Sequence, residues 1–172
     1  TEYQPERLPY DTFVLQVIAP DGSEYYVDGG SKNLYVNVLP ADFLVPNARI
    51  IRSNGTAQWV DLTKLSRNST VMNVSANLTE DMRLEGQVLS KDTGNPSYST
   101  KNEYESYGDD DKYIADMESA YSIDIDEITF EDMDNYTPAA SMTYTFSKDL
   151  DASGDYVYIN PFIASFHSKD TF

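Results

Sequence analysis

With 172 residues, of which 29 are acidic and 12 basic, the chain carries a formal net charge of −17 and contains no cysteine. That balance repels phosphate backbones and anionic headgroups, which argues against nucleic acid as a partner. The missing thiols exclude a disulfide, a thiolate metal site and a cysteine nucleophile within these positions, and the length suffices for one ordinary core or two small ones.

No apolar run approaches the roughly 20 residues of a membrane helix, and no basic stretch followed by an apolar one opens the chain. The start at Thr1 without an initiator methionine, followed by the extended Glu2-Tyr3-Gln4-Pro5, predicts a fragment or a processed product. From Phe13 to Ile18 the residues are β-formers, and Asp21-Gly22 supplies a hairpin turn before Glu24-Tyr25-Tyr26-Val27-Asp28. Gly29-Gly30-Ser31 breaks this hairpin. Pro40 and Pro46 then mark an irregular connection, because proline cannot donate to a sheet ladder. Strands resume at Ala48 to Arg52 and at Ala57 to Leu62, around the turn Ser53-Asn54-Gly55.

Beyond Lys64 the pattern changes, and a domain boundary falls near residues 63 to 68. Met72, Val74, Ala76 and Leu78 alternate with Asn73, Ser75 and Asn77, a period of two that predicts one buried face. After a turn at Thr79-Glu80-Asp81, the residues Met82, Leu84, Gly86 and Val88 keep the alternation, so a long antiparallel hairpin is expected to cover one side of a core. Lys101 to Tyr121 is the helical stretch, with Tyr104, Tyr107, Ile114, Met117 and Tyr121 at helical spacings. Gly108 interrupts it. Asp109 is a natural N-cap, and Asp110 and Asp111 sit where the helix dipole favours negative charge.

Ile123 and Ile125 share one parity while Ile128 and Phe130 share the other, which predicts a bulge near Asp126-Glu127. Ala140, Met142, Tyr144 and Phe146 alternate with Ser and Thr as a half-buried strand. Further strands are expected over Asp155 to Ile159 and Phe162 to Phe166.

The only histidine, His167, has no nucleophile elbow or other catalytic context around it, so it reads as a surface residue. Asp124, Asp126, Asp132 and Asp134 read as solvated edge charges. Asp132-Met133-Asp134-Asn135-Tyr136 lacks the glycine and the distal glutamate of a calcium loop, so neither a metal nor a cofactor is expected. Tyr25, Tyr26, Tyr35, Trp59, Tyr98 and Tyr136 are of the type that stacks on sugar rings, and Tyr25, Tyr26 and Trp59 are the ligand-binding candidates. Against that stands the ordinary use of tyrosine in strands, ring packed and hydroxyl wet. The Asn-x-Ser/Thr sequons at Asn54, Asn68, Asn73, Asn77 and Asn135 are expected as chance products of an Asn/Ser/Thr-rich composition.

The order Phe13-Val14-Leu15, Asp21-Gly22-Ser23-Glu24-Tyr25-Tyr26-Val27-Asp28, Leu39-Pro40 and Gln58-Trp59-Val60-Asp61-Leu62 resembles the closing portion of a transglutaminase-like, papain-related core. The Leu84-Glu85-Gly86 hairpin, the helix ending at Tyr121, Tyr144-Thr145-Phe146 and Tyr158-Ile159-Asn160-Pro161-Phe162 resemble the C-terminal domain of unknown function that follows such cores in secreted Gram-negative bacterial proteins. The resemblance implies a Cys-His-Asp triad in an intact relative. Asp28 matches the aspartate, but Phe13 stands where the histidine is expected and the cysteine would lie upstream of Thr1. A phenyl in place of an imidazole removes the general base, so the chain is expected to be non-catalytic and Asp28 vestigial.

The expected fold is mainly β of the α+β type. An antiparallel β-sandwich-like domain over residues 66–172 carries one packed helix at about 101–121, preceded over 1–65 by a small β remnant, the terminal strands of a degenerate transglutaminase-like core. The expected role is a non-catalytic scaffold or interaction domain of an exported protein, periplasmic or at the cell surface. The alternatives are a carbohydrate- or peptide-binding module, and a part of a cysteine-dependent hydrolase or acyltransferase whose Cys and His lie upstream. Expected partners are the upstream part of the same polypeptide, a protein or glycan ligand, and a second copy of the chain. The last would pair through an edge left exposed if the sequence continues beyond Ser168 to Phe172.

Overall fold

The computed structural model describes residues 12–65, 67–134, 137–153 and 156–160. The strand expected over Phe162 to Phe166, His167, Asn135 and Tyr136 lie outside the described residues. The chain is mainly β and of the α+β type, as the sequence predicts.

Two short antiparallel hairpins come first: β1 (Leu15–Ile18) with β2 (Glu24–Val27), and β3 (Ala48–Ile51) with β4 (Ala57–Val60). Each turns where the sequence places Asp-Gly or Asn-Gly, because Gly22 and Gly55 take positive φ values of 85 and 80°. Tyr26, Leu39 and Leu62 form a buried cluster between them, with Val14, Phe43, Leu44, Ala48, Val60 and Leu65 packed around it.

Four longer strands then make one antiparallel sheet in the order β5-β6-β8-β7: β5 (Ser69–Leu78), β6 (Arg83–Thr93), β7 (Asp124–Glu131) and β8 (Ala139–Asp149). The pairing slips between Ile125 and Glu127, the bulge that the change of parity predicts. The layer opposite the sheet is helical. Lys101 to Tyr121 divides into two helices, α1 (Asn95–Tyr107) and α2 (Asp110–Tyr121), and α1 starts six residues before the expected boundary. Gly108 at φ 63° ends α1 in the left-handed conformation, and Asp109 Oδ1 accepts the N–H of Asp111 at 3.0 Å to open α2. At the other end Gly94, with φ 73° and ψ −132°, stands where a Cβ would collide with Asn68 Oδ1 and the Arg67 carbonyl.

The core lies between these layers, formed by Leu84, Val88, Tyr113, Met117, Ile123, Met142, Tyr144 and Phe146. Tyr113 sits edge-on to Tyr104, Tyr107 and Phe130, with ring centroids 5.7, 5.2 and 5.7 Å away. On α2 it is Tyr113 that is fully buried, while its neighbour Ile114 on the expected stripe is half-buried. The expectation of a buried face on β5 is corrected: Met72 is half-buried, but Val74 is 41% and Leu78 49% exposed, and Ala76 is exposed too. α1 packs on β6, β8 and β5 and α2 on β7, while Val74 to Leu78, toward the far end of β5, stay exposed. After β8, a two-residue β9 (Ala152–Ser153) pairs with β10 (Tyr156–Val157), which is all that forms of the strand expected over Asp155 to Ile159 among the described residues.

Gly86 faces Ala76 on β5 and Phe146 on β8, and a Cβ there would run into the Ser75 carbonyl and come within 2.8 Å of Ala76 Cα. Backbone of β5 must move to admit it. Gly86→Ala is therefore expected to destabilise the fold by about 1–3 kcal/mol, read as a lower chemical-denaturation midpoint. An unchanged midpoint would show that β5 yields freely.

The loop between β7 and β8 is tied to α1 through its carbonyls. Gly94 N donates to Pro138 O at 2.8 Å, and Ser97 Oγ lies 2.9 Å from the same oxygen. One turn on, Lys101 is only 2% exposed, and its Nζ donates to the carbonyls of Asp134 and, at 2.8 Å, Thr137. Burial pulls the pKa of this ammonium below its ordinary value. The earlier part of the chain reaches the same helix. Asn33 Nδ2 donates to Asn102 Oδ1 at 2.9 Å and Glu105 Oε2 at 2.7 Å, and Asn95 Nδ2 donates to Leu39 O at 2.7 Å.

Candidate interaction surface

The residues singled out on the first hairpins do not converge. Asp28 organises the chain just after β2: its Oδ1 accepts the Gly30 N–H at 2.9 Å and its Oδ2 the Ser31 hydroxyl at 2.6 Å. Phe13 is exposed. Tyr26, expected as an exposed ring, is buried, and its hydroxyl sits 3.1 Å from Gln16 Nε2 and 3.3 Å from Glu24 Oε2. Strand parity explains this correction, because Tyr25 and Tyr26 are neighbours on β2 and only one can face solvent. Burial, with the Glu24 charge beside it, raises the Tyr26 phenol above its ordinary pKa. Trp59 is exposed on β4 opposite Arg49, whose guanidinium lies 5.7 Å from the ring centroid and covers one face of the indole.

Tyr25 belongs instead to an apolar strip. Leu15 pairs with Val27 and Val17 with Tyr25 on the outer face of the first hairpin, and Leu15, Val17 and Tyr25 are all exposed. Among the described residues no group of three or more His, Asp or Glu is placed to hold a metal ion.

The feature that stands apart is β5, an edge that sequence reading did not single out. Its ten residues, Ser-Thr-Val-Met-Asn-Val-Ser-Ala-Asn-Leu, contain no charge, no proline and no bulge. The opposite edge, β7, carries Asp124, Asp126, Glu127 and Glu131 along eight residues and is bent by the bulge. Charges and bulges are what normally blunt a sheet edge, so one edge is protected and the other, which pairs only with β6 among the described residues, is not.

Which backbone groups the open edge presents follows from the ladder. Thr79 N donates to Arg83 O at 2.8 Å, so the hydrogen-bonded pairs with β6 fall on odd-numbered residues of β5. The N–H and C=O groups of Thr70, Met72, Val74, Ala76 and Leu78 therefore point outward. The same residues carry the apolar side chains on the helix side of the sheet, and three of these, Val74, Ala76 and Leu78, are exposed. At about 3.4 Å per residue the edge runs roughly 34 Å. The signal for it was in the sequence: an uncharged run of this length in a chain of net charge −17.

Comparison of the chain with protein-family models, with curated proteins and with solved structures gives no match.

Proposed function

We propose that the chain is a non-catalytic interaction module that works through the β5 edge, where it pairs antiparallel with a second copy of itself. The observation that carries this reading is the contrast between the uncharged, unbent β5 and the acidic, bulged β7. Two chains each carrying −17 repel one another over most of their surface, and β5 is an edge where they meet without bringing carboxylates together on the paired strands. The pairing is self-complementary. A two-fold axis at Val74 sets Met72 opposite Ala76 and Thr70 opposite Leu78 of the other copy, with outward backbone groups matched and apolar side chains on a common face. The order of motifs quoted above supports placing such a module in an exported protein, behind the remnant of a transglutaminase-like core to which Asp28 would belong.

Sedimentation equilibrium of the full chain tests the reading. A concentration-dependent dimer is expected. Val74→Glu, which sets two carboxylates face to face at the axis, should weaken it about tenfold or more. Val74→Pro removes an outward N–H without touching the β6 ladder and should act alike, while Thr129→Glu on β7 should leave association unchanged. A wild-type chain that stays monomeric, or one whose dimer survives both Val74 variants, overturns the proposal. So does a monomer that uses β5 only to capture an extended peptide.

A further inference from the structure

The β5–β6 hairpin is divided lengthwise by charge. At the start of β5 stand Arg67, just before the strand, and Lys91, which lies opposite Val71 on β6. At the turn stand Glu80 and Asp81, and Glu85 lies nearby opposite Asn77. All five are exposed, and none takes part in an ion pair among the described residues. The charges of contrary sign at either end are engaged within the chain: Arg83 pairs with Asp124 and Asp149, and Asp92 accepts the Thr70 and Thr100 hydroxyls, each at 2.6 Å. One end of the hairpin therefore presents basic groups and the other acidic ones.

This polarity bears on the pairing of β5 with a second copy, the reading on which the inference rests. In the antiparallel arrangement with the two-fold axis at Val74, Arg67 of one copy and Asp81 of the other lie at the same end and equally far from the axis, and symmetry repeats the pair at the opposite end. Lys91 and Glu85 of the other copy fall in one row of the joined sheet, because Val71 then faces Asn77; at roughly 14 Å, three strand spacings, they attract only weakly through salt. Moving the axis to Met72 or Ala76 keeps the outward backbone groups matched, but carries each basic end short of the other copy's turn or past it. A parallel arrangement sets like charges on like.

We infer that these charges set the direction and register of self-pairing, with Arg67 of each copy held against Asp81, and Glu80 beside it, at the turn of the other. The uncharged middle of β5 supplies backbone hydrogen bonds that several registers satisfy alike, and an exposed strand without a buried face specifies its register weakly. Two symmetric meetings of opposite charge single out one register and penalise the rest, which is how charges at an interface generally act. Each contact is exposed, so its contribution is modest and fades as salt rises.

Sedimentation equilibrium of the full chain at low salt, with Arg67→Glu and Asp81→Lys, tests this. Each variant alone is expected to weaken the dimer about tenfold, since like charges then meet at both ends. An equimolar mixture of the two should associate about as tightly as the wild type, because both ends of the mixed dimer again join opposite charges; that recovery also shows both variants to be folded. Asp81→Lys is the decisive variant. It makes the chain less negative than −17, so relief of general repulsion alone would tighten the dimer rather than weaken it. At about 1 M salt the differences should vanish. A wild-type dimer that Val74→Glu breaks but that the Arg67 and Asp81 variants leave unchanged overturns the inference while the edge pairing stands. So does a tighter dimer of Asp81→Lys, or a mixture no tighter than its components. A wild-type chain that stays monomeric overturns both.

Discussion

Lys101→Ala is expected to destabilise the protein by about 3–5 kcal/mol, a large share of the roughly 5–15 kcal/mol that holds a domain of this size folded. The substitution removes a side chain that is only 2% exposed and leaves the carbonyls of Asp134 and Thr137 without their shared donor. Two losses combine: a void between α1 and the loop from β7 to β8, and the ammonium's hydrogen bonds to two backbone acceptors. Lys101→Met separates them, because it restores most of the volume and none of the donors, and it should recover about half of the loss. Urea denaturation followed by circular dichroism measures both. If the alanine and methionine variants are equally destabilised, only the lost hydrogen bonds matter; if both match the wild type, the ammonium does not hold the loop.

Raising the pH above about 10 is expected to unfold the protein cooperatively, and the cause is its buried tyrosines. Burial pushes the Tyr144 phenol up to about 12. The hydrogen bond from Tyr104 to Asp110 Oδ1 at 2.6 Å, with burial, raises Tyr104 to about 12. Burial raises Tyr113 and Tyr121 as well. A phenol whose folded pKa lies above its unfolded value of 10 contributes its full stabilisation below pH 10. Between there and the folded pKa the unfolded chain releases protons that the fold retains, so stability falls as pH rises. For the buried Tyr144 alone the loss approaches roughly 2–3 kcal/mol by pH 12.

Lys101 works in the opposite sense, since its folded pKa lies below 10.5 and the penalty on its charged form is relieved as pH rises toward that value. One group of that kind does not offset several tyrosines. Phenolate absorbance should show an early phase from exposed tyrosines and a late one coincident with loss of circular dichroism, and Tyr144→Phe should move the late phase to higher pH. A single smooth phase ahead of unfolding would contradict the assignment.

Much of the local structure was legible because its causes are local. Asp21-Gly22 and Asn54-Gly55 specify their turns through glycines at positive φ, the change of parity between Ile125 and Ile128 requires a bulge, and Gly108 followed by Asp109 ends one helix and caps the next. The ligand candidates fared differently. Tyr25, Tyr26 and Trp59 look alike in a sequence, yet one ring lies in an apolar strip, one is buried and one is partly covered by Arg49, because each depends on which face of its hairpin meets the rest of the protein. Lys101 reads as a solvated charge on a polar helix, and nothing nearby in the sequence announces the carbonyls that surround it.

By itself the sequence determined the β-rich class, the hairpins, the bulge, the helix break and the net charge, since periodicity, turn chemistry and composition act over a few residues or over the whole chain at once. The tertiary structure alone decided that Val74, Ala76 and Leu78 stand uncovered and that Tyr113 rather than Ile114 points into the core. Alternation reports that a strand has an apolar face. Whether anything lies over that face is decided by where α1 and α2 come to rest, and that is a property of long-range packing rather than of any segment.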